Sequence, residues 1–219
     1  MSARVPRTLL RKMRIDESEY LPLDRIADDS DQYRLVMRYW NDIREGLYLM
    51  APRQDMGGFG LFLQGGDAVD DLVASFLVAL VTDEDTKVRQ GGREPWTKYA
   101  QPWTRYSVDE RAQVWTARAV ISIAKEFEDS ESRQQYRSLI PGIPSRYPCP
   151  LLLGLLRLDK IPENEWGVNE ILELIRERKR WGRITVVTSR LTITELGRKY
   201  GSEMQDLLQE KFVTDEGWL

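Results

Sequence analysis

LLLGLLRLDKIPENEWGVNEILELIRERKRWGRITVVTSRLTITELGRKYG, residues 151–201, carries the order of elements from which the fold is read. Its first six residues, 151–156, form an unbroken apolar run of strand length, the kind buried on both faces of a parallel sheet. Val168, Ile171, Leu172 and Ile175 then share one helical face. RERKRWG ends that helix with a basic last turn and Gly182 as the stop. RITVVTS (183–189) is rich in β-branched residues and predicts a second strand. TITELGRKYG and SEMQDLLQEKF predict two more helices. Strands alternating with helices imply an α/β fold, a parallel sheet covered on both faces.

The pattern continues towards the N-terminus. Leu35, Val36, Tyr39, Trp40 and Ile43 recur at helical spacing and predict a helix from Asp31 to about Gly46. Phe59 to Gln64 reads as a short buried strand that ends in the pair Gly65 and Gly66. A buried helix over Leu72–Val81 follows, entered through Asp67, Asp70 and Asp71. Residues 112–117 predict a strand and Val120–Phe127 a helix. RSLIPGIPSRYPCP (137–150) reads as a loop stiffened by four prolines. Residues 1–30 are a polar, basic lead-in, expected to behave as a flexible arm. Residues 31–219 form one domain, interrupted by an irregular insertion at about 83–110, with no separate C-terminal lid domain.

Composition narrows the chemistry. The chain of 219 residues contains no histidine and one cysteine. Ser-His-Asp and Cys-His catalysis, histidine metal ligation and a thiolate zinc site are thereby excluded. Cys149, between two prolines, reads as a small apolar residue ahead of a strand. A net charge of −3 gives no overall nucleic-acid signal, so any basic surface is local. The N-terminus lacks the apolar stretch of a secretory signal, and the expected location is the cytoplasm.

From about Tyr20 onwards the chain resembles the AAA+ core of bacterial helicase loaders and the related transposition ATPases, the DnaC/IstB-like family. The resemblance lies in LPLDRIADD, GFGLFLQGG, VWTARAVISIAKEFEDS and above all the stretch 151–201. It implies a three-layer, P-loop NTPase-type α/β fold with replication or transposition neighbours. The family's nucleotide motifs are degenerate here. The phosphate loop should read G-x-x-x-x-G-K-[ST], its N–H groups wrapping phosphates and its hydroxyl holding Mg²⁺. The stretch here runs from Gly65 and Gly66 to Asp70 in place of the last glycine, Asp71 in place of the lysine and Leu72 in place of the hydroxyl. One like-charge pair at 4 Å costs about 4 kcal/mol at an effective dielectric of about 20. The protein's own anions are therefore read as occupying the phosphate's electrostatic niche. Leu156 and Arg157 stand where the resemblance places two acidic residues, and Asp159 reads as a solvated bend residue. Arg190 stands at the place of the asparagine that senses the terminal phosphate, and Asp206 at that of the arginine that reaches a neighbour's ATP.

No catalytic residue, cofactor or metal is therefore expected. The chain reads as a pseudo-ATPase whose partner is an AAA+ ATPase, a helicase, a transposition protein or single-stranded DNA. Two other readings stay open: a residual ATP/ADP binder with a remodelled pocket, and an interaction scaffold unrelated to DNA. Thr86–Tyr106 holds Lys87, Arg89, Arg93, Lys98 and Arg105 against Glu94 alone, interleaved with Trp96, Tyr99, Trp103 and Tyr106. Contact with unpaired bases, a protein-binding patch and packing onto the domain all fit this composition. RERKRWGR (176–183) reads mainly as a complement to the helix dipole.

Overall fold

Alternate positions of each strand face opposite helical layers, and this division builds the molecule. The computed structural model describes residues 7–18, 20–23, 26, 30–44, 60–89, 112–127 and 130–214. Its strands are β1 (Gly60–Gln64), β2 (Ala112–Thr116), β3 (Leu152–Leu156), β4 (Ile184–Ser189) and β5 (Phe212–Val213). They lie in the order β2-β3-β4-β1-β5, every pairing parallel. Leu61 and Leu63, with Val114, Leu152 and Val186, pack under α1 (Arg7–Lys12), α2 (Asp31–Arg44) and α3 (Asp67–Arg89). Phe62, Trp115, Leu153, Leu155 and Val187 face the other way. That second layer is α4 (Ala117–Ala124), α5 (Glu131–Leu139), α6 (Glu165–Arg180), α7 (Ile193–Tyr200) and α8 (Ser202–Lys211). The result is the expected three-layer α/β sandwich. Leu196, Met204 and Leu208 bring the last two helices into the same core.

Local chemistry sets the element ends. Thr116, Ser130 and Asn164 each accept an N–H bond at the start of α4, α5 and α6. Thr192 and Glu195 form a capping box on α7.

The structure changes several expectations. The N-terminal lead-in is not a free arm where it is described. Leu9, Leu10 and Met13 are buried, and the Met13 carbonyl accepts from Val114 N–H at 3.0 Å. Two adjacent leucines and a methionine one helical turn beyond them outweigh the basic composition, and the contact covers the open edge of β2. Helix α3 continues to Arg89, seven residues into the segment expected to be irregular. The sequence offers no glycine or proline there before Gly91. Helix α5 occupies 131–139, which carries no strong apolar stripe, and β5 is too short for any alternation to reveal. No described helix is long and apolar enough to cross a membrane.

Candidate functional site

The C-terminal ends of β1, β3 and β4 meet at the centre of the sheet, where ligands of open α/β sheets bind. Only Gly65 and Gly66 separate β1 from α3. A Cβ on Gly65 would stand 2.2 Å from Val69 Cγ2, so the first turn of α3 sits directly on this glycine. Gly65 N–H donates to the Ser189 carbonyl at 2.8 Å. Val69 and Asp70 N–H groups donate back to the Gly66 carbonyl at 3.0 and 3.2 Å. The Val69 and Asp70 amides thus close the first turn of α3, and the Gly65 amide ties the end of β1 to β4.

Asp67 and Asp70 lie in that first turn, where carboxylates suit the helix dipole. Opposite them, Arg157 leaves β3 in the left-handed conformation, φ 62° and ψ 56°. A non-glycine residue in that region carries a strain of about 1 kcal/mol or more. Its side chain shows what offsets the strain. Nε donates to Asp70 Oδ2 at 2.6 Å and Nη2 to Asp67 Oδ1 at 2.7 Å. Thr188 on β4 donates its hydroxyl to Asp70 Oδ1 at 2.5 Å and accepts from Arg157 N–H at 2.9 Å. Arg190 Nη2 reaches Asp67 Oδ1 at 2.8 Å.

Two carboxylates and two guanidinium groups thus satisfy each other. Hydrogen bonding to Arg190, helped by the charges of Arg157 and Arg190, holds the Asp67 carboxyl below its ordinary range. The bond to Asp70 raises the Arg157 guanidinium, against the opposing effect of burial. Asp70 is buried and Asp67 is exposed, so the inner pair is the one that solvent screens least. Among the described residues, no group of three or more acidic or cysteine side chains converges as a metal ion would need.

The structure sorts the sequence candidates sharply. Gly65, Gly66, Asp70, Arg157 and Arg190 come together. Asp71 is exposed, Leu72 and Leu156 belong to the core, and Asp206 is exposed on α8. Asp67 and Thr188, read from sequence only as a helix start and a strand end, prove central. Lys87 and Arg89 fall on the final turns of α3. Arg93, Trp96, Lys98, Trp103 and Arg105 lie outside the described residues.

Two readings require correction. Asp159 is not a solvated bend residue but is 6% exposed. Its Oδ1 accepts from Arg190 N–H at 3.1 Å, and its carbonyl accepts from Lys199 and Tyr200. It packs because Lys199 and Tyr200 at the end of α7 hold the short 3-10 turn after Arg157, Tyr200 donating to both the Asp159 and Ile161 carbonyls. Arg178, read as one of the basic residues that complement the helix dipole, is fully buried. Its five N–H groups reach five acceptors at 3.0–3.2 Å: Thr185 Oγ1 and the carbonyls of Leu139, Pro150, Leu151 and Ile184. Desolvation lowers its pKa to about 10, which still leaves it charged at neutral pH. Cys149 Sγ lies 3.8 Å from the same guanidinium.

No protein-family model matches the chain, and no curated protein matches it by sequence. A crystal structure of DnaI does match in shape, with a TM-score of 0.54 at 12% identity. The match covers 97% of this chain and 94% of that chain. The likeness is one of fold. With the sheet order described above, it supports the three-layer α/β fold with a parallel sheet.

Proposed function

We propose that the protein is a non-catalytic, AAA+-like pseudo-ATPase that works by binding a protein partner. The observation that carries this reading is the internal pairing of Asp67 and Asp70 with Arg157 and Arg190. In the nucleotide-binding version of such a fold, the helix N-terminus takes phosphate and the ends of β3 and β4 supply acid and polar groups. Here the signs are exchanged: acid stands at the helix start and arginine at both strand ends. The residues present do not fit ATP and Mg²⁺. Carboxylates stand in the first turn of α3, and Arg157 occupies the place where the resemblance puts a metal-binding carboxylate. The exchange of sign keeps the three elements tied without a ligand.

The partner is drawn from DNA replication, transposition or mobile-element biology, with single-stranded DNA as a further contact. The fold of DnaI supports this setting. Thermal unfolding with a millimolar series of ATP or ADP and Mg²⁺ is the test. The melting temperature is expected to stay constant, whereas a micromolar site would stabilise the fold by about 4 kcal/mol at a thousandfold excess over Kd. A ligand-dependent rise would overturn the reading. The basic, aromatic segment is tested separately by reversing Arg93, Lys98 and Arg105 to glutamate. Binding to labelled single strands at low salt is expected to fall at least tenfold if the segment tracks phosphates. Unchanged binding would remove it as the contact.

A further inference from the structure

The chain at residues 9–15 wraps round the β2 edge of the sheet, from one helical layer to the other. On one side Leu9, Leu10 and Met13 are buried in the same apolar cluster as Ala112, Val114 and Leu152. On the other side the Arg14 guanidinium lies 3.7 Å from the centre of the Trp115 ring, and its Nη2 donates to Gln135 Oε1 on α5 at 2.9 Å. Between the two, the Met13 carbonyl accepts from Val114 N–H at 3.0 Å. β2 is the outermost strand of the described sheet, and this N–H points away from β3.

Arg14 and Arg157 are the described residues other than glycine with positive φ. Arg14, at φ 64°, closes α1: its N–H donates to the Arg11 carbonyl at 3.1 Å, and Ile15 N–H to that of Leu10 at 2.9 Å. Glycine is the usual residue at such a cap, because it has no Cβ to strain. An arginine there is explained by its side chain, as at Arg157. Trp115 beneath it is buried, so guanidinium and ring meet with little water between them, where the attraction of a cation for a ring face is strongest. The segment therefore holds the edge by apolar burial, by a backbone bond and by a stacked cation.

We infer that this segment is an edge guard, an intramolecular clasp that keeps β2 from pairing with the β2 of a second copy. An open strand edge presents a row of donors and acceptors and recruits another strand unless charge, proline or a covering segment blunts it. β2 reads AQVWT, with neither charge nor proline, so the cover is the device this edge has. A second copy brings the same edge, and two such edges pair about a two-fold axis, each supplying the acceptor that Met13 supplies here. The inference does not rest on loss of ATP chemistry, and the nucleotide test above reads a different quantity.

Hydrogen exchange and sedimentation velocity of the full chain test it. Arg14→Gly relieves the cap and removes the stacked cation. Were the side chain idle, that relief would slow exchange at the Val114 amide; the expected result is exchange roughly tenfold faster. Met13→Asp combined with Arg14→Gly lifts the segment further, since a carboxylate cannot take the buried place of Met13. This variant is expected to sediment faster than wild type at equal concentration, increasingly so as concentration rises. Adding Val114→Pro removes the outward donor and no bond to β3, so the increase should disappear. Should Met13→Asp fail to fold, Arg14→Gly alone carries the same comparison, with a smaller increase that Val114→Pro again abolishes. Unchanged or slower Val114 exchange overturns the clasp. A folded, lifted variant that sediments as wild type overturns the guard, and so does association that survives Val114→Pro.

Discussion

Replacing Arg178 by methionine is expected to destabilise the protein by about 3–5 kcal/mol, the largest effect of any single side chain considered. Methionine fills a similar elongated space but donates nothing. Three buried carbonyls, the half-buried Leu151 carbonyl and the Thr185 hydroxyl would lose their partner together. Each unsatisfied buried group costs about 1–3 kcal/mol, and relief of the buried charge returns only part of that sum. Against a total stability of about 5–15 kcal/mol, the variant should melt roughly 10 °C lower or fail to accumulate folded. Lysine should not rescue it, because one ammonium cannot present five donors in a fork. Circular dichroism melts decide the matter, and a methionine variant within about 2 °C of wild type would refute the structural role.

The second large effect concerns the exchanged charges. Arg157→Glu would bring a third carboxylate to Asp67 and Asp70 and remove the cation that pairs with both. Asp70 is 8% exposed as a side chain, so its unpaired charge is poorly solvated, while Arg157 is 41% exposed and water softens the loss. A destabilisation of about 2–4 kcal/mol follows from these opposing terms. The triple variant Arg157→Glu, Asp67→Asn, Asp70→Asn should recover at least half of it. Urea unfolding of the members of this cycle measures the coupling. If the losses simply add, Arg157, Asp67 and Asp70 do not act as one network.

Why these two effects differ in legibility is instructive. The strands at 151–156 and 183–189 announce themselves because a buried parallel strand needs an apolar run and little else. Arg178 announces nothing. Its neighbours Arg176, Lys179 and Arg180 are chemically alike, and only the helical phase together with the loop from Ile140 to Leu151 decides which one turns inward. At Gly65 to Leu72 the sequence shows acid where the resemblance expects a cation. It does not show the counter-charges, for Arg157 and Arg190 lie 90 and 123 residues beyond Asp67 and meet it only across the sheet. Asp67 itself is hidden by a local explanation, since an aspartate at a helix start needs no distant partner. Asp159 is hidden for the opposite reason: a charged residue in a bend reads as wet unless its fold-back is known.

The two-glycine hop from β1 into α3 limits what point changes at this turn can do. The span from Asp67 to Leu72 winds as helix, and Leu72 and Phe76 are locked into the core by that phase. A turn wide enough to wrap an anion would have to unwind those residues and draw Leu72 out of the core, and a residue inserted there would rotate the apolar stripe of α3 by about 100°. Exchanging the side chains at Asp70 or Asp71 therefore alters charge while the path of the backbone stays as the core dictates.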